Sequence, residues 1–332
     1  MFCSLPYRRL TALWAAAFWL ACALAIPLQR RMTVWPAGRD ILYDQESEGD
    51  SEGTSKTYQR LRKTPQLATA DYGFTNFNQD FLTMHFQEPR GAYEAYVKNW
   101  GYRDSDLADL KSWHAAARQA AFAAATRLHT PQAPFDAQIA ALQTQYDKKV
   151  DDYMAAKMFH FLQGNEVEVD MPKVVKANSP LVKSLAGAFD QVAISRHYDS
   201  GLIIGAVASM VQTAIIYKIP PPVVNGVHNG GFWPPLQTLI GGWGDCDTKT
   251  GTLASILANW PQMRMIGVAL PEHYLLGVLR IPNKGDLFLE FQGLQYVLVE
   301  PAGPAWLAPG SVGDHTQALL EASESYRMEP FF

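Results

Sequence analysis

Gly241-Gly242-Trp243-Gly244-Asp245-Cys246-Asp247 is the stretch on which the reading of this chain turns. The glycines let the backbone bend tightly. Leu253, Ile256, Leu257 and Trp260 then recur on one face until Pro261, so a helix starts at Asp245 or Cys246. Cys246 therefore falls in a first helical turn, where unpaired N–H groups and the positive end of the dipole favour negative charge. Cysteines so placed, with an imidazolium beside them, fall from a pKa of about 8.5 toward roughly 3.5 to 7.5. Cys3 and Cys22 lie at or within an N-terminal apolar run, so the body holds one unpaired cysteine and no disulfide framework. In an exported chain such a cysteine signals a reactive thiol, and the competing reading is a small buried hydrophobe.

Downstream, four short apolar runs follow: Met265 to Leu270, Tyr274 to Ile281, Leu287 to Phe291 and Tyr296 to Val299. Turn signals at Pro271, Asn283-Lys284-Gly285 and Gln292-Gly293 separate them, which predicts an antiparallel meander. A helix packed on that meander makes an α+β domain with the Gly-rich loop and the helix start at one end. His273 opens the second run and is the candidate base. Glu300 closes the fourth, just before Pro301, where a carboxylate can hold the imidazole tautomer. Taken singly, His273 reads equally as a satisfied strand-edge histidine and Glu300 as a solvated strand end. Together with Cys246 they form the arrangement that acyl transfer requires. Glu272 is a poor third member, because neighbouring strand residues point to opposite faces; Asp286 and Glu290 are the substitutes.

Upstream, Pro220-Pro221-Pro222 opens a Gly-, Asn- and Pro-rich loop to about Pro235, preceded by helices over Leu181 to Ile194 and Leu202 to Tyr217 and by strand-like alternation from Asn165 to Asp170. Leu107, Leu110, Ala117, Ala121, Ala124 and Leu128 recur at helical spacing, with Asp104 and Ser105 as N-caps. After the Pro131 to Pro134 break, Ile139, Leu142, Tyr146, Val150 and Tyr153 continue the pattern to Gly164. This is a helical hairpin, suited to docking an envelope protein partner. Its histidines, His114, His129 and His160, fit no metal-ligand spacing. Phe74, Phe77, Phe81, Met84 and Phe86 call for burial without a clear period. Gln45 to Ser55 has nothing apolar to bury and reads as a solvated tether.

Leu10 to Leu28 carries no charge and is bracketed by Arg8-Arg9 and Arg30-Arg31. A bilayer needs roughly 20 apolar residues in a helix, so the run predicts a single anchor holding the body outside the cytoplasm. A cleaved signal peptide ending at Ala23-Leu24-Ala25, with secretion, is the alternative; lipid attachment at Cys22 is weaker. The expected organisation is a membrane segment over 1–31, a tether over 32–60, a helical hairpin region over 61–164, an α+β catalytic domain over 165–312 and a tail over 313–332. The tether and the break at Gly164 predict that the catalytic unit is separable. A net charge of −4 without any Lys/Arg run argues against a nucleic-acid partner.

The stretch from about Val167 to Gly310 resembles bacterial transglutaminase-like domains, a branch of the papain-like cysteine enzymes. The residues that carry the resemblance are Val211-Gln212, Ile216-Tyr217, Trp233-Pro234-Pro235-Leu236-Gln237-Thr238-Leu239, Gly242-Trp243-Gly244-Asp245-Cys246-Asp247, His273 and Tyr296-Val297-Leu298-Val299-Glu300-Pro301. It spans a little under half the chain. It implies a papain/transglutaminase-like core and catalytic roles for Cys246, His273 and Glu300; no cofactor-binding or metal-ligating residues are expected. Gln237 stands where an acidic residue is usual, and Thr248-Lys249-Thr250 replaces the acidic and small residues common after the Asp; both bear on substrate class more than on the triad. Lys249-Thr250-Gly251 also resembles part of the motifs of P-type ATPases and penicillin-binding enzymes, but Thr248 separates Asp247 from the Lys, and Ser179 to Lys183 is one residue too long for Ser-x-x-Lys. The expected activity is a thiol peptidase or acyltransferase acting on an amide of a protein or peptide. The Cys246 N–H, with Gln237 or Trp243, would hold the oxyanion. The contrasting expectation is a membrane-anchored scaffold without turnover.

Overall fold

The structure, a computed structural model, describes residues 57–162, 166–322 and 326–331, all within one compact unit. The expected membrane segment, the tether as far as Lys56 and the Gly164 cap lie outside the described residues. Among these, no helix is long and apolar enough to cross a membrane.

The described chain opens on an antiparallel three-stranded meander, β1 (Tyr58–Lys63), β2 (Leu67–Thr75) and β3 (Phe81–Pro89). The sequence reading left this segment unassigned inside the hairpin region. β3 buries Leu82, Met84 and Phe86 while Thr83, His85 and Gln87 face solvent, the period of two that a half-buried strand requires. After α1 (Arg90–Asn99), the hairpin consists of α2 (Asp104–Leu128) and α3 (Gln132–Ala156). Asp104 and Asp106 in the first turn of α2 complement its dipole. The two helices bury only Ala121 and Met154 fully and meet through rings, Phe122 on Phe135 at 4.8 Å and His114 on Tyr146 at 4.6 Å. α3 stops at Ala156, short of Gly164, because Met158 turns left-handed (φ 64°) and the chain returns as β4 (Phe159–Phe161), paired with β5 (Val167–Val169).

The second half runs through α4 (Met171–Asn178), a 3-10 turn over Ser179–Val182, α5 (Lys183–Arg196) and α6 (Ser200–Thr213). Short pieces follow: β6 (Ile216–Tyr217), β7 (Val223–Val224), β8 (Val227–His228), α7 (Pro235–Gly241) and β9 (Trp243–Gly244). α8 (Cys246–Leu257) buries every residue from Thr248 onward. A sheet lies beside it, built from β10 (Met265–Leu270), β11 (His273–Leu279), β12 (Phe288–Phe291) and β13 (Leu294–Val299), with α9 (Asp314–Ala322) leading into a fifth strand, β14 (Arg327–Pro330). The strand order is β12-β13-β11-β10-β14, antiparallel throughout. This departs from a simple meander. The β12–β13 hairpin, closed over Gln292 and Gly293 at positive φ, docks through its second strand, which places Glu300 near the start of β11. Residues expected to be a tail supply α9 and the edge strand β14.

The fold class is α+β. One hydrophobic cluster joins Tyr72, Phe74 and Phe86 of the first meander to Phe189, Leu239, Leu253, Leu276 and Val299 of the second half. The expected boundary at Gly164 therefore does not divide the core.

Candidate active site

α7 ends on Gly242 in the left-handed region (φ 72°), and Trp243-Gly244 then pairs in parallel with Ile216-Tyr217. A Cβ on Gly244 would run into the Thr248 side chain, so the approach to α8 requires glycine there. Asp245, extended, is the N-cap, and Cys246 is the first residue of the helix, half-buried. α8 packs on β11. The buried Thr250 hydroxyl faces both the Cys246 carbonyl (2.7 Å) and the Tyr274 carbonyl (3.0 Å), tying the cysteine's helix to the residue after His273.

His273 opens β11 behind Glu272, which takes a positive φ of 59° at the turn. Its Nε2 lies 3.1 Å from the Glu300 carboxylate, and the ring also shares a hydrogen bond with Cys246. With Nε2 turned to the acid, Nδ1 is the nitrogen left for the thiol. Glu300 is buried directly after β13. Its carboxylate accepts from Thr316 Oγ1 (2.7 Å) and from the Ala302 N–H (3.1 Å), and Gln212 Nε2 donates to its carbonyl oxygen (2.5 Å).

Burial alone would lower the His273 pKa, but the hydrogen bonds with Cys246 and Glu300, and their charges, outweigh it and raise it to about 10. Burial pushes Glu300 up; the hydrogen bond and charge of His273, with Thr316 and Ala302, bring it below the usual carboxylate range. The arrangement is a buried imidazolium–carboxylate pair presented to a thiol at a helix N-terminus, with the elements of thiol-dependent acyl transfer.

Three further titratable groups, Asp247, Lys249 and Tyr217, and the hydroxyl of Thr316 surround this trio, none of which the residue pattern had singled out for a role. Burial, and then the neighbouring Asp245 carboxylate, push Asp247 well up beside Cys246. Lys249 is fully buried, donates from Nζ to the Ile215 carbonyl at 2.6 Å, and is lowered by burial to about 7 against the pull of Glu300 and Asp245. Tyr217, exposed at the rim, is pushed up to about 12 by burial of its hydroxyl and then by the charges of Cys246, Asp245, Asp247 and Glu300. Thr316 comes from the presumed tail, where no local signal marks it.

The remaining candidates make no hydrogen bond to the trio. Gln237 sits on α7, and Trp243 on β9 packs against Trp233 with Lys218 Nζ 4.4 Å from its ring centre. Asp286 accepts from the Asn283 N–H (2.9 Å) and lies 3.8 Å from Arg280, and Glu290 is exposed on the edge strand β12, so neither meets His273. Glu272 is exposed. His160 pairs with Glu168 at 3.2 Å, and among the described residues no group of three or more His, Cys, Asp or Glu converges as a metal site. Comparisons of the chain with protein-family models, curated proteins and solved structures return no match.

Proposed function

We propose that this chain is a thiol-dependent amide hydrolase or acyltransferase, with a transglutaminase-like arrangement of the papain type around α8 and the sheet. The observation that carries this reading is a single buried imidazole held between Cys246 on one side and Glu300, at 3.1 Å, on the other. In the reaction, the Cys246 thiolate attacks the carbonyl carbon of an amide, forming the S–C bond and an oxyanion that the Cys246 N–H stabilises. Collapse breaks the C–N bond while the His273 imidazolium gives its proton to the departing amine, leaving a thioester. Water then loses a proton to His273, attacks the thioester and releases the acid; an amine in its place gives transfer. Glu300 holds the ring and its charge throughout. By the uncharged run at Leu10 to Leu28 we further propose that the body is membrane-held outside the cytoplasm; recovery of a soluble species beginning near Ile26 would replace the anchor with a signal peptide.

Alkylation by iodoacetamide near neutral pH tests the site. The native protein is expected to react faster than a free thiol, which at a pKa of about 8.5 is only about 3% thiolate at pH 7. Cys246→Ala should abolish the fast labelling, leaving at most the slow alkylation of Cys3 and Cys22. His273→Ala should come close, by removing both base and cationic partner, and Glu300→Gln should keep the fold but slow turnover, by roughly 10⁴-fold if it favours the wrong tautomer as in a serine triad. A sluggish native thiol, or cellular function intact in Cys246→Ala, would favour a scaffold instead. That second reading draws on the α2–α3 hairpin, which exposes Phe122 and Leu128 near its tip.

A further inference from the structure

A groove of about 600 Å³ lies between α1, β1 and the α7–β9 segment that leads to Cys246. Its apolar wall includes Tyr93, Ile240, Trp233 and Trp243, and Gln237 also faces it. Three cations line it, Lys63, Arg90 and Lys98, against one carboxylate, Glu94, which Arg90 already engages at 2.5 Å. Lys63 Nζ lies 5.0 Å from the Tyr93 ring centre, and Lys218 stands over Trp243 at the far end. A chain with a net charge of −4 thus concentrates positive charge along a groove that adjoins the loop before its thiol.

We propose that this groove is the substrate-binding cleft and that it takes an acidic polypeptide segment, whose carboxylates meet Lys63 and Lys98 while large apolar side chains lie on Tyr93 and the two tryptophans. This rests on the amidase reading and names its substrate class. Gln237 and Trp243 belong to the cleft wall, and Trp243 stands three residues before Cys246, so a segment lying in the cleft would lead toward the start of α8. Cationic side chains at a cleft rim set attraction and selectivity more than packing does, so the affinity should be charge-specific and fall with salt. Burial of the Lys63 amine, and then the charge of Arg90, disfavours its protonation, and an arriving carboxylate relieves that strain.

The test uses the full chain in detergent and two blocked peptides, one alternating Glu and Phe with Ala spacers, the other carrying Lys for each Glu. Tryptophan emission reports binding, since Trp233 and Trp243 line the cleft. The acidic peptide should bind about tenfold or more tightly than the basic one. Lys63→Glu and Lys98→Glu should each erase most of that preference; Lys98 is exposed, so its variant keeps the test open where Lys63→Glu disturbs folding. Equal affinity for the two peptides, indifference to both variants, or tighter binding of a single-stranded oligonucleotide would overturn the proposal. Peptide binding read together with the alkylation rate of the native thiol separates the two readings. Charge-selective binding with an inert native thiol would fail the enzyme and keep the cleft, whereas a fast thiol with charge-blind binding would fail the cleft and keep the enzyme.

Discussion

Lys249 and His273 press on the same site with opposite signs. His273 is raised from 6.5 to about 10, so what its proton contributes to folding is fully present below 6.5 and is lost as pH climbs toward 10. Lys249 is lowered from 10.5 to about 7; its burial weakens the fold while it stays protonated, and stability returns as pH rises from 7 to 10.5. Between these limits the two slopes oppose each other, each at no more than about 1.4 kcal/mol per pH unit. Relative to the parent, Lys249→Met should lose stability from about pH 7 to about pH 9, and His273→Gln should gain it. Denaturant midpoints across that range are the measurement, and curves parallel to the parent's would refute the account. Cys246, His273 and Glu300 were legible because each stands beside punctuation: the Gly-rich turn, Pro271 and Pro301. Lys249 was not, since a lysine reads as solvated until a distant carbonyl, here that of Ile215, is seen to receive it.

At the scale of elements, α9 matters more than its nine residues suggest. It delivers Thr316 to the Glu300 carboxylate, and β14 behind it closes the sheet against β10. Replacing Thr316 by Val keeps the shape and removes a donor from a buried carboxylate, which costs about 1–3 kcal/mol of stability. Glu300 should then take up a proton at higher pH, so the acid limb of thiol labelling moves up, while Thr316→Ser preserves both; an unmoved limb in Thr316→Val would assign Thr316 to packing alone. The tail was opaque in sequence because α9 and β14 are short and the β14–β10 pairing spans some sixty residues, a non-local contact with no local trace. β3 failed for another reason. Its period-two burial of Leu82, Met84 and Phe86 is present, but Phe77 and Phe81 fall out of phase and blur it. The sheet order likewise depended on which strand of the β12–β13 hairpin docks, a choice that apolar runs do not encode.

Across the whole molecule, the first meander completes the core of the half that carries the thiol. Phe74, Leu82, Met84 and Phe86 are buried against α5 and α6, and the Tyr72 hydroxyl donates to the Leu239 carbonyl on α7. The Trp100 and Trp306 indoles, donating to Phe232 and Thr75, lace the halves together again. Burying those four apolar side chains is worth on the order of 10 kcal/mol, comparable with the entire stability of a typical domain at about 5–15 kcal/mol. A chain begun near Gln163, which the sequence alone suggested would fold, should therefore expose α5, α6 and α7 and aggregate. One begun at Thr57 should stay monomeric, unfold cooperatively and label at Cys246. The same accounting makes the outer part of the α2–α3 hairpin expendable: Leu107, Val150, Tyr153 and Met154 at its base pack with Phe159, Phe232 and Tyr274, but replacing 111–147 by a short Gly/Ser linker removes only Ala121 from the fully buried residues. Size exclusion and thermal unfolding of these three chains decide the matter, and a soluble, cooperatively unfolding chain from Gln163 would show that the first meander is an appendage.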